Sequence, residues 1–281
     1  MEIKAADVKR LRDKTGAGML DCKKALNEAN GDFAEAEKKL KEMGLAAAAK
    51  RSGRATNEGR IFTRVGEKKA AILELACETD FVARNADFIE LGKNLLETII
   101  EKDLEEVNDE LNEMVKDTIS TIKENMTLKR FRTLEIGGNE LVSEYVHGEG
   151  AIGVLVKIKA DSAETLAKEQ VKQFAFDTAL HIAAFNPLYL DQDSVDDQYR
   201  KDQEAIFRKQ AESLGKPEKV MEGIIKGKLK KHFSEICLLD QGFVKEEKTS
   251  VAKVMKNIAK EVGGELSITD FAYFRVGEDS E

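Results

Sequence analysis

The chain has 281 residues, enough for two or three domains of ordinary size, and its 42% hydrophobic and 35% charged side chains are the balance of a folded globular protein. No apolar run approaches the roughly 18–20 residues of a membrane-spanning helix, and the start Met1-Glu2-Ile3-Lys4-Ala5-Ala6-Asp7 is charged where a secretory signal is apolar, so a cytoplasmic location is expected. A net charge of −8 opposes broad adhesion to nucleic acid, and three widely spaced cysteines (Cys22, Cys77, Cys237) point to a reducing compartment rather than a disulfide framework.

Residues 1–45 carry helical periodicity alone, through Val8 and Leu11, then Met19, Cys22, Leu26 and Ala29, then Phe33, Ala36, Leu40 and Met43. Three short helices are predicted. Asp32 with Glu35 three residues later marks the start of the third, and Gly44 marks its end. Through residue 54 the block holds 13 basic and 9 acidic side chains, a net +4 inside an acidic chain, which sets it apart as a module. Residues 46–59 hold no large apolar side chain and two glycines, Gly53 and Gly59. They read as a linker that packs on neither side, so that removing residues 1–45 is expected to leave the rest folded.

From residue 60 the period changes to two. A hairpin is predicted from Ile61-Phe62-Thr63-Arg64-Val65, the turn Gly66-Glu67 and the apolar run 70–77. Phe88, Leu91, Leu95, Leu96 and Ile99 then predict a helix, and Val107, Leu111, Val115 and Ile122 a second one over roughly 104–124. A strand at 128–136 follows, and Gly137-Gly138-Asn139 turns it into another at 141–147. Gly66-Glu67 with Ala71-Ile72-Leu73 recurs 82 residues later as Gly148-Glu149 with Gly153-Val154-Leu155, each strand pair preceding an amphipathic helix. The fold class is therefore α+β, with two related core subdomains of antiparallel strands. Subdomain N takes 60–140, and subdomain C takes 141–192 and 234–281.

Inserted within subdomain C, residues 193–233 read as a helical hairpin with its turn at Gly215-Lys216-Pro217 and a narrow stripe of Val220, Ile224, Leu229 and Phe233 suited to one neighbour. The only two prolines, Pro187 and Pro217, stand at its base and tip. Thr249 or Ser250 then caps a helix that Gly263-Gly264 stops, and Ile268, Ala272, Phe274 and Val276 alternate along a last strand at 267–276.

Chemistry-bearing motifs are scarce. The nearest approach to a phosphate loop, Gly223 to Gly227-Lys228, is one residue short and continues with Leu229, so no direct nucleotide site is expected. Gly16-Ala17-Gly18 lacks the strand that a dinucleotide fingerprint requires. His147, His181 and His232 show no metal-ligand spacing, and no nucleophile, base and acid assemble. No metal, cofactor or catalytic set is expected. Lys50-Arg51-Ser52-Gly53-Arg54 has the charge of a solvated linker. The segment Glu78-Thr79-Asp80-Phe81-Val82-Ala83-Arg84-Asn85 leaves a buried strand, where loops often carry binding function. By spacing alone, Thr79 or Asp80 capping a short helix with Phe81 in the core is the more frequent arrangement.

Thr15-Gly16-Ala17-Gly18-Met19-Leu20-Asp21-Cys22-Lys23-Lys24-Ala25-Leu26 and Thr79-Asp80-Phe81-Val82-Ala83 resemble the two signatures of the elongation factor Ts family. Tyr145-Val146-His147-Gly148 with Ile152-Gly153-Val154-Leu155, the helical insertion, and Leu239-Asp240-Gln241-Gly242-Phe243-Val244 resemble it too, in order along the chain. The resemblance implies guanine nucleotide exchange on elongation factor Tu, the GTPase that delivers aminoacyl-tRNA, without covalent chemistry. It places the Mg²⁺-displacing segment on Thr79, Asp80, Phe81 and Val82, with Phe81 as a wedge between helices of the GTPase. It makes residues 1–45 a ubiquitin-associated-like module whose Met19, Leu20 and Lys23 pack on another helix of that domain, and assigns His147 of subdomain C to a farther domain of factor Tu. Relatives use the hairpin for self-association to different extents, which leaves a monomer and a homodimer through the hairpin both open. Many continue with a further helical module beyond the last strand, and most carry proline where Gly242 stands, a change expected to loosen the loop before Phe243. The alternative reading is a helical adaptor whose basic module binds a modifier protein or RNA without exchange activity.

Overall fold

A computed structural model of the chain describes residues 3–213 and 217–278. The protein is α+β with small antiparallel sheets, as expected. Its first helices are α1 (Ala5–Thr15), α2 (Met19–Glu28) and α3 (Phe33–Arg51). Val8, Leu11, Cys22, Leu26, Ala36 and Leu40 close a small core between them. Asp32 caps α3, its carboxylate accepting the Glu35 N–H at 3.0 Å.

Gly44 does not end that helix. α3 runs on to Arg51, so the expected linker at 46–59 shrinks to residues 52–57. Two physical reasons account for the difference. The four alanines at 46–49 are the strongest helix formers, and they offset the roughly 1 kcal/mol that an interior glycine costs. Gly44 is also where α3 meets α6 (Asp109–Ile122): a Cβ there would lie 2.4 Å from the Cβ of Ser120. Ala48, one turn on, is buried in the same core as Val115, Ile119, Met126 and Leu128. The second half of α3 therefore belongs to the packing of subdomain N, and a cut after residue 45 would open that core rather than spare it. Gly44→Ala, which would stabilise an exposed helix, is expected here to lower the melting temperature, because overpacking against Ser120 costs about 1–3 kcal/mol. A thermal melt reads the sign directly.

The predicted first hairpin is β1 (Glu58–Val65) with β2 (Lys69–Cys77). After α4 (Asp80–Ala83), α5 (Ala86–Glu101) and α6, β3 (Met126–Glu135) returns to pair antiparallel with β2. β4 (Glu140–His147) and β5 (Ile152–Ala160) form a second hairpin, followed by α7 (Ala163–Ala167) and α8 (Glu169–Phe185). The helical arms α9 (Asp197–Glu212) and α10 (Glu218–Ile236) come next. Of the predicted turn, Gly215 and Lys216 lie outside the described residues, while Pro217 stands just before α10. A small pair, β6 (Gly242–Phe243) with β7 (Glu246–Ser250), leads to α11 (Val251–Val262) and β8 (Leu266–Arg275), which pairs with β5. Ser250, not Thr249, caps α11.

Sheet order is β1-β2-β3 in one half and β4-β5-β8 in the other, with the second hairpin strand central in each. The 82-residue repeat corresponds to this shared topology. The turn at 137–139 joins strands of different sheets, so it carries the chain between halves instead of closing a hairpin. The sheets pack on each other through Ile61, Ala70, Ile72, Leu155, Ala272 and Phe274. Helices α5 and α6 cover the outer face of the first sheet, and α8 and α11 that of the second. β2 is consequently buried at every residue, which explains an apolar run that only Glu74 interrupts between Ala70 and Cys77. Glu74, 2% exposed within it, accepts from Arg130 Nε at 2.8 Å and from the Gly277 N–H at 2.9 Å, which ties the C-terminal segment to the first sheet.

His181 of α8 fastens the base of the hairpin. Its Nδ1 accepts the Val244 N–H at 3.1 Å, so the proton sits on Nε2 and is donated to Gln241 Oε1 at 2.9 Å. Gln241 in turn donates to the Glu235 carbonyl at 2.7 Å. Both ring nitrogens are satisfied in the neutral form, and burial lowers the pKa. The unfolded chain binds a proton near pH 6.5 that the native state resists, so this part of the stability is present above that pH and is lost as pH falls below it. Melts from pH 8 to 5 are expected to drop more steeply for the native protein than for His181→Gln. Gly242, beside this network, sits tightly rather than loosely: a Cβ there would lie 2.4 Å from the Glu247 carbonyl oxygen.

Candidate functional site

The segment 78–85 leaves the buried strand β2 and is held at every turn. The Cys77 thiol donates to the Thr79 carbonyl at 3.2 Å, and burial pushes its pKa up to about 12, so it remains a protonated packing group. Thr79 Oγ1 accepts the Val82 N–H at 3.3 Å, capping α4, and donates to the Glu124 carboxylate at 3.0 Å. Glu78 accepts the Asn125 N–H at 2.6 Å and pairs with Arg54 at 3.3 Å. Asn85 ends the segment as the cap of α5, accepting the Asp87 N–H at 2.7 Å.

Four residues of helix thus stand between two caps. Val82 and Ala83 turn inward to the core of Phe88 and Leu91, which forces Asp80, Phe81 and Arg84 outward. Phe81 is 81% exposed. The capping half of the expected arrangement holds, whereas Phe81 lies outside the core. Such a side chain on a fixed turn offers about 1.5–3 kcal/mol of burial to whatever covers it. Beside it Arg84 reaches Asp80 at 3.7 Å and Glu149 at 3.4 Å, and Glu149 also meets Arg60 at 3.7 Å. Asp80, Arg84, Gly148 and Glu149 line one cleft of about 170 Å³, so the turn that follows His147 adjoins the 79–82 segment.

His147 itself points elsewhere. It is exposed on the edge strand β4, where its Nδ1 lies 3.2 Å from the Tyr145 hydroxyl, and Tyr145 makes an edge contact with Phe176. Val146, Phe176 and Phe185 are each roughly half-exposed in the same subdomain. Met19, Leu20 and Lys23 begin α2, whose inner face is Cys22, Ala25 and Leu26. Leu20 is 83% exposed and Met19 45%. The two most exposed large apolar side chains among the described residues, Leu20 and Phe81, thus stand at the starts of capped or packed helices rather than on loops.

Residues 121–125, the end of α6 and the three residues beyond it, connect the two places, and sequence reasoning passed over them. Lys123 takes a left-handed conformation and pairs with Asp21 of α2 at 2.8 Å, while Glu124 holds Thr79 and Asn125 holds Glu78. The Asn125 side chain also donates to the Arg54 carbonyl at 2.7 Å. Ile122-Lys123-Glu124-Asn125 reads as an ordinary polar helix end, and nothing in its pattern announces these partners.

The sequence matches the family model described as Elongation factor TS over residues 78–278, beginning at the segment just described. It is 50% identical over 277 residues to Elongation factor Ts of Treponema denticola, covering 99% of each chain. Identity to Elongation factor Ts of Borrelia recurrentis is 47% over 278 residues, 99% of this chain and 100% of that one. For Elongation factor Ts of Borreliella burgdorferi it is 45% over 276 residues, 98% and 99% of the two chains.

Proposed function

The chain belongs to the elongation factor Ts family, and from that premise we propose that it acts as a guanine nucleotide exchange factor for elongation factor Tu, releasing GDP by mechanical and electrostatic disturbance of the Mg²⁺ and phosphate site. No covalent step is required. A partner that binds nucleotide-free factor Tu better than the GDP-bound form weakens GDP binding by the same coupling free energy. Guanine nucleotide is held chiefly through its phosphates, Mg²⁺ and loop amides, so the ion and that loop are where a small displacement releases most affinity.

Phe81 supplies the displacement, entering between helices of the GTPase domain, and its 81% exposure on a doubly capped turn is the observation that supports this reading most. Thr79 and Val82 hold the turn, and Asp80 brings a carboxylate toward a site built for Mg²⁺ and phosphate. Met19, Leu20 and Lys23 dock the N-terminal module on a neighbouring helix, and His147 with its subdomain engages a farther domain. Residues 121–125 keep the first two contacts in fixed relation. Mixing the protein with factor Tu that carries fluorescent GDP tests the proposal. Dissociation is expected to accelerate on addition of the protein, and binding without a change in release would favour the adaptor reading instead.

The hairpin is expected to be dispensable for exchange. Its base is closed by backbone hydrogen bonds from Leu188 and Tyr189 to the Ile236 carbonyl and from Leu238 to that of Tyr189, so its ends already meet. Closing the gap with a short Gly/Ser segment in place of residues 203–229 carries a small entropic penalty, since that cost grows only logarithmically with length. GDP release from factor Tu should be unchanged within error, and a slower rate would place part of the contact on these arms.

A further inference from the structure

The exchange reading gives no task to the turn between β4 and β5, whose backbone is unusual. Gly148, Glu149 and Gly150 take φ of 58°, 55° and 97°, and among the described residues no other three in succession have positive φ. Glycine adopts that region freely, whereas Glu149 carries a Cβ into a conformation that L residues avoid. The turn is firmly set all the same. The Ala151 N–H donates to the Gly148 carbonyl at 3.1 Å, and the Val276 N–H donates to that of Ala151 at 3.0 Å. Gly150 lies so close to Arg60 of β1 that a Cβ there would stand 3.1 Å from the arginine's own Cβ and Cγ. None of these contacts uses the Glu149 side chain, so the fold of the turn does not account for a glutamate at a strained position. Its carboxylate has another place: Oε2 lies 3.4 Å from Arg84 Nε and 3.7 Å from Arg60 Nη2. The Arg60 side chain is 19% exposed and serves as the anchor. Arg84, 64% exposed, has a choice, because its Nη2 also lies 3.7 Å from Asp80 Oδ2.

Building on the exchange reading, in which Asp80 brings its carboxylate to the Mg²⁺ and phosphate site, we propose that Glu149 is a positioning residue for that carboxylate. It draws Arg84 across the cleft and so keeps Asp80 from being locked into an ion pair on its own turn. Asp80 and Arg84 stand four residues apart with the acid first, the favourable order for a pair on a helical surface, so without a competitor they would close on each other. A guanidinium given to one carboxylate holds it by two parallel bonds, and a carboxylate held that way has spent its charge and its lone pairs before a partner arrives. A guanidinium shared between two carboxylates holds neither. The distances match the shared state, since both contacts of Arg84 exceed the roughly 2.7–3.2 Å of a hydrogen bond. The strained turn beside His147 thereby acts on the 79–82 segment of the other sheet through a single arginine.

The test compares GDP release from factor Tu driven by the full-length native protein, E149Q, R84Q and the double variant, with melting curves to show that each is folded. E149Q keeps the shape of the side chain and should slow release about two- to fivefold, the range open to exposed ion pairs. The double variant should release GDP as fast as R84Q alone, because Glu149 acts only through Arg84. A glutamate that merely supported the fold would slow release equally in both backgrounds. A second readout needs no partner: the Arg84 Nε–H resonance, assigned by its absence in R84Q, should shift markedly on D80N in the E149Q background and only slightly in the native one. Undiminished slowing in the R84Q background, unslowed release by E149Q, or equal resonance shifts in the two backgrounds would overturn the proposal. Normal release by the native protein with E149Q unslowed removes this proposal alone. A native protein that does not accelerate release removes the exchange reading, and the task of Glu149 falls with it even where the resonance moves as expected.

Discussion

Phe81→Ala is expected to leave the protein as stable as before and to cripple exchange. The side chain is 81% exposed, and the α4 backbone is held by Thr79 and Asn85, not by Phe81. Truncating an exposed side chain changes stability by no more than about 0.5 kcal/mol. In the proposed wedge role, however, it is the kind of aromatic whose loss from an interface costs 2 kcal/mol or more, equivalent to about 30-fold in the rate of GDP release. The complex should still form through the N-terminal module and subdomain C, so affinity falls less than the rate. Thermal melting and release of fluorescent GDP from factor Tu, measured on the same preparation, give the comparison. A large fall in melting temperature would place Phe81 in packing after all, and an unchanged release rate would deny it the wedge role.

Phe88→Ala should show the reverse. This second aromatic, seven residues on, is fully buried in α5, its ring 6.2 Å from that of Phe62 and enclosed by Leu91, Leu95 and Leu73. Removing it combines lost transfer free energy with a cavity that the two-sided packing of β2 cannot close, a cost of about 3–5 kcal/mol. The melting temperature should fall by roughly 6–20 °C, at about 2–4 °C per kcal/mol for a domain of this size. Because Val82 and Ala83 share that core, exchange should suffer at higher temperature, where the turn loses its support, and recover on cooling. Normal thermal stability in Phe88→Ala would contradict the packing described for this subdomain.

The contrast between the two phenylalanines shows where sequence reading stops. Periodicity placed Phe88, Leu91, Leu95 and Ile99 on one face correctly, because a helix of that length repeats its pattern often enough to fix its phase. A four-residue helix does not. With Val82 and Ala83 turned inward, Phe81 must point out, yet 79–83 alone accommodates either phase, and only the resemblance of the motif favoured the exposed one. The cap at Asp32 was legible because it is local, set by Glu35 three residues on. Gly44 failed as a stop signal because its reason is Ser120, a residue 76 positions away that no local rule can see.

By itself the sequence determined the α+β class, the three N-terminal helices, the first strand hairpin, the inserted helical arms and the two signatures that carry the family. These follow from period, capping and composition, all properties of neighbouring residues. Only the tertiary structure decided that the sheets lie back to back, that the 137–139 turn crosses between them, and that Gly44 and Ala48 seal α3 onto α6. It also decided that Lys123, Glu124 and Asn125 join Asp21, Thr79 and Glu78 across separations of 45 to 102 residues. The physical reason is the same in each case: these contacts arise from the shape of packed surfaces, and a pairwise fit between distant segments leaves no periodic trace in either one.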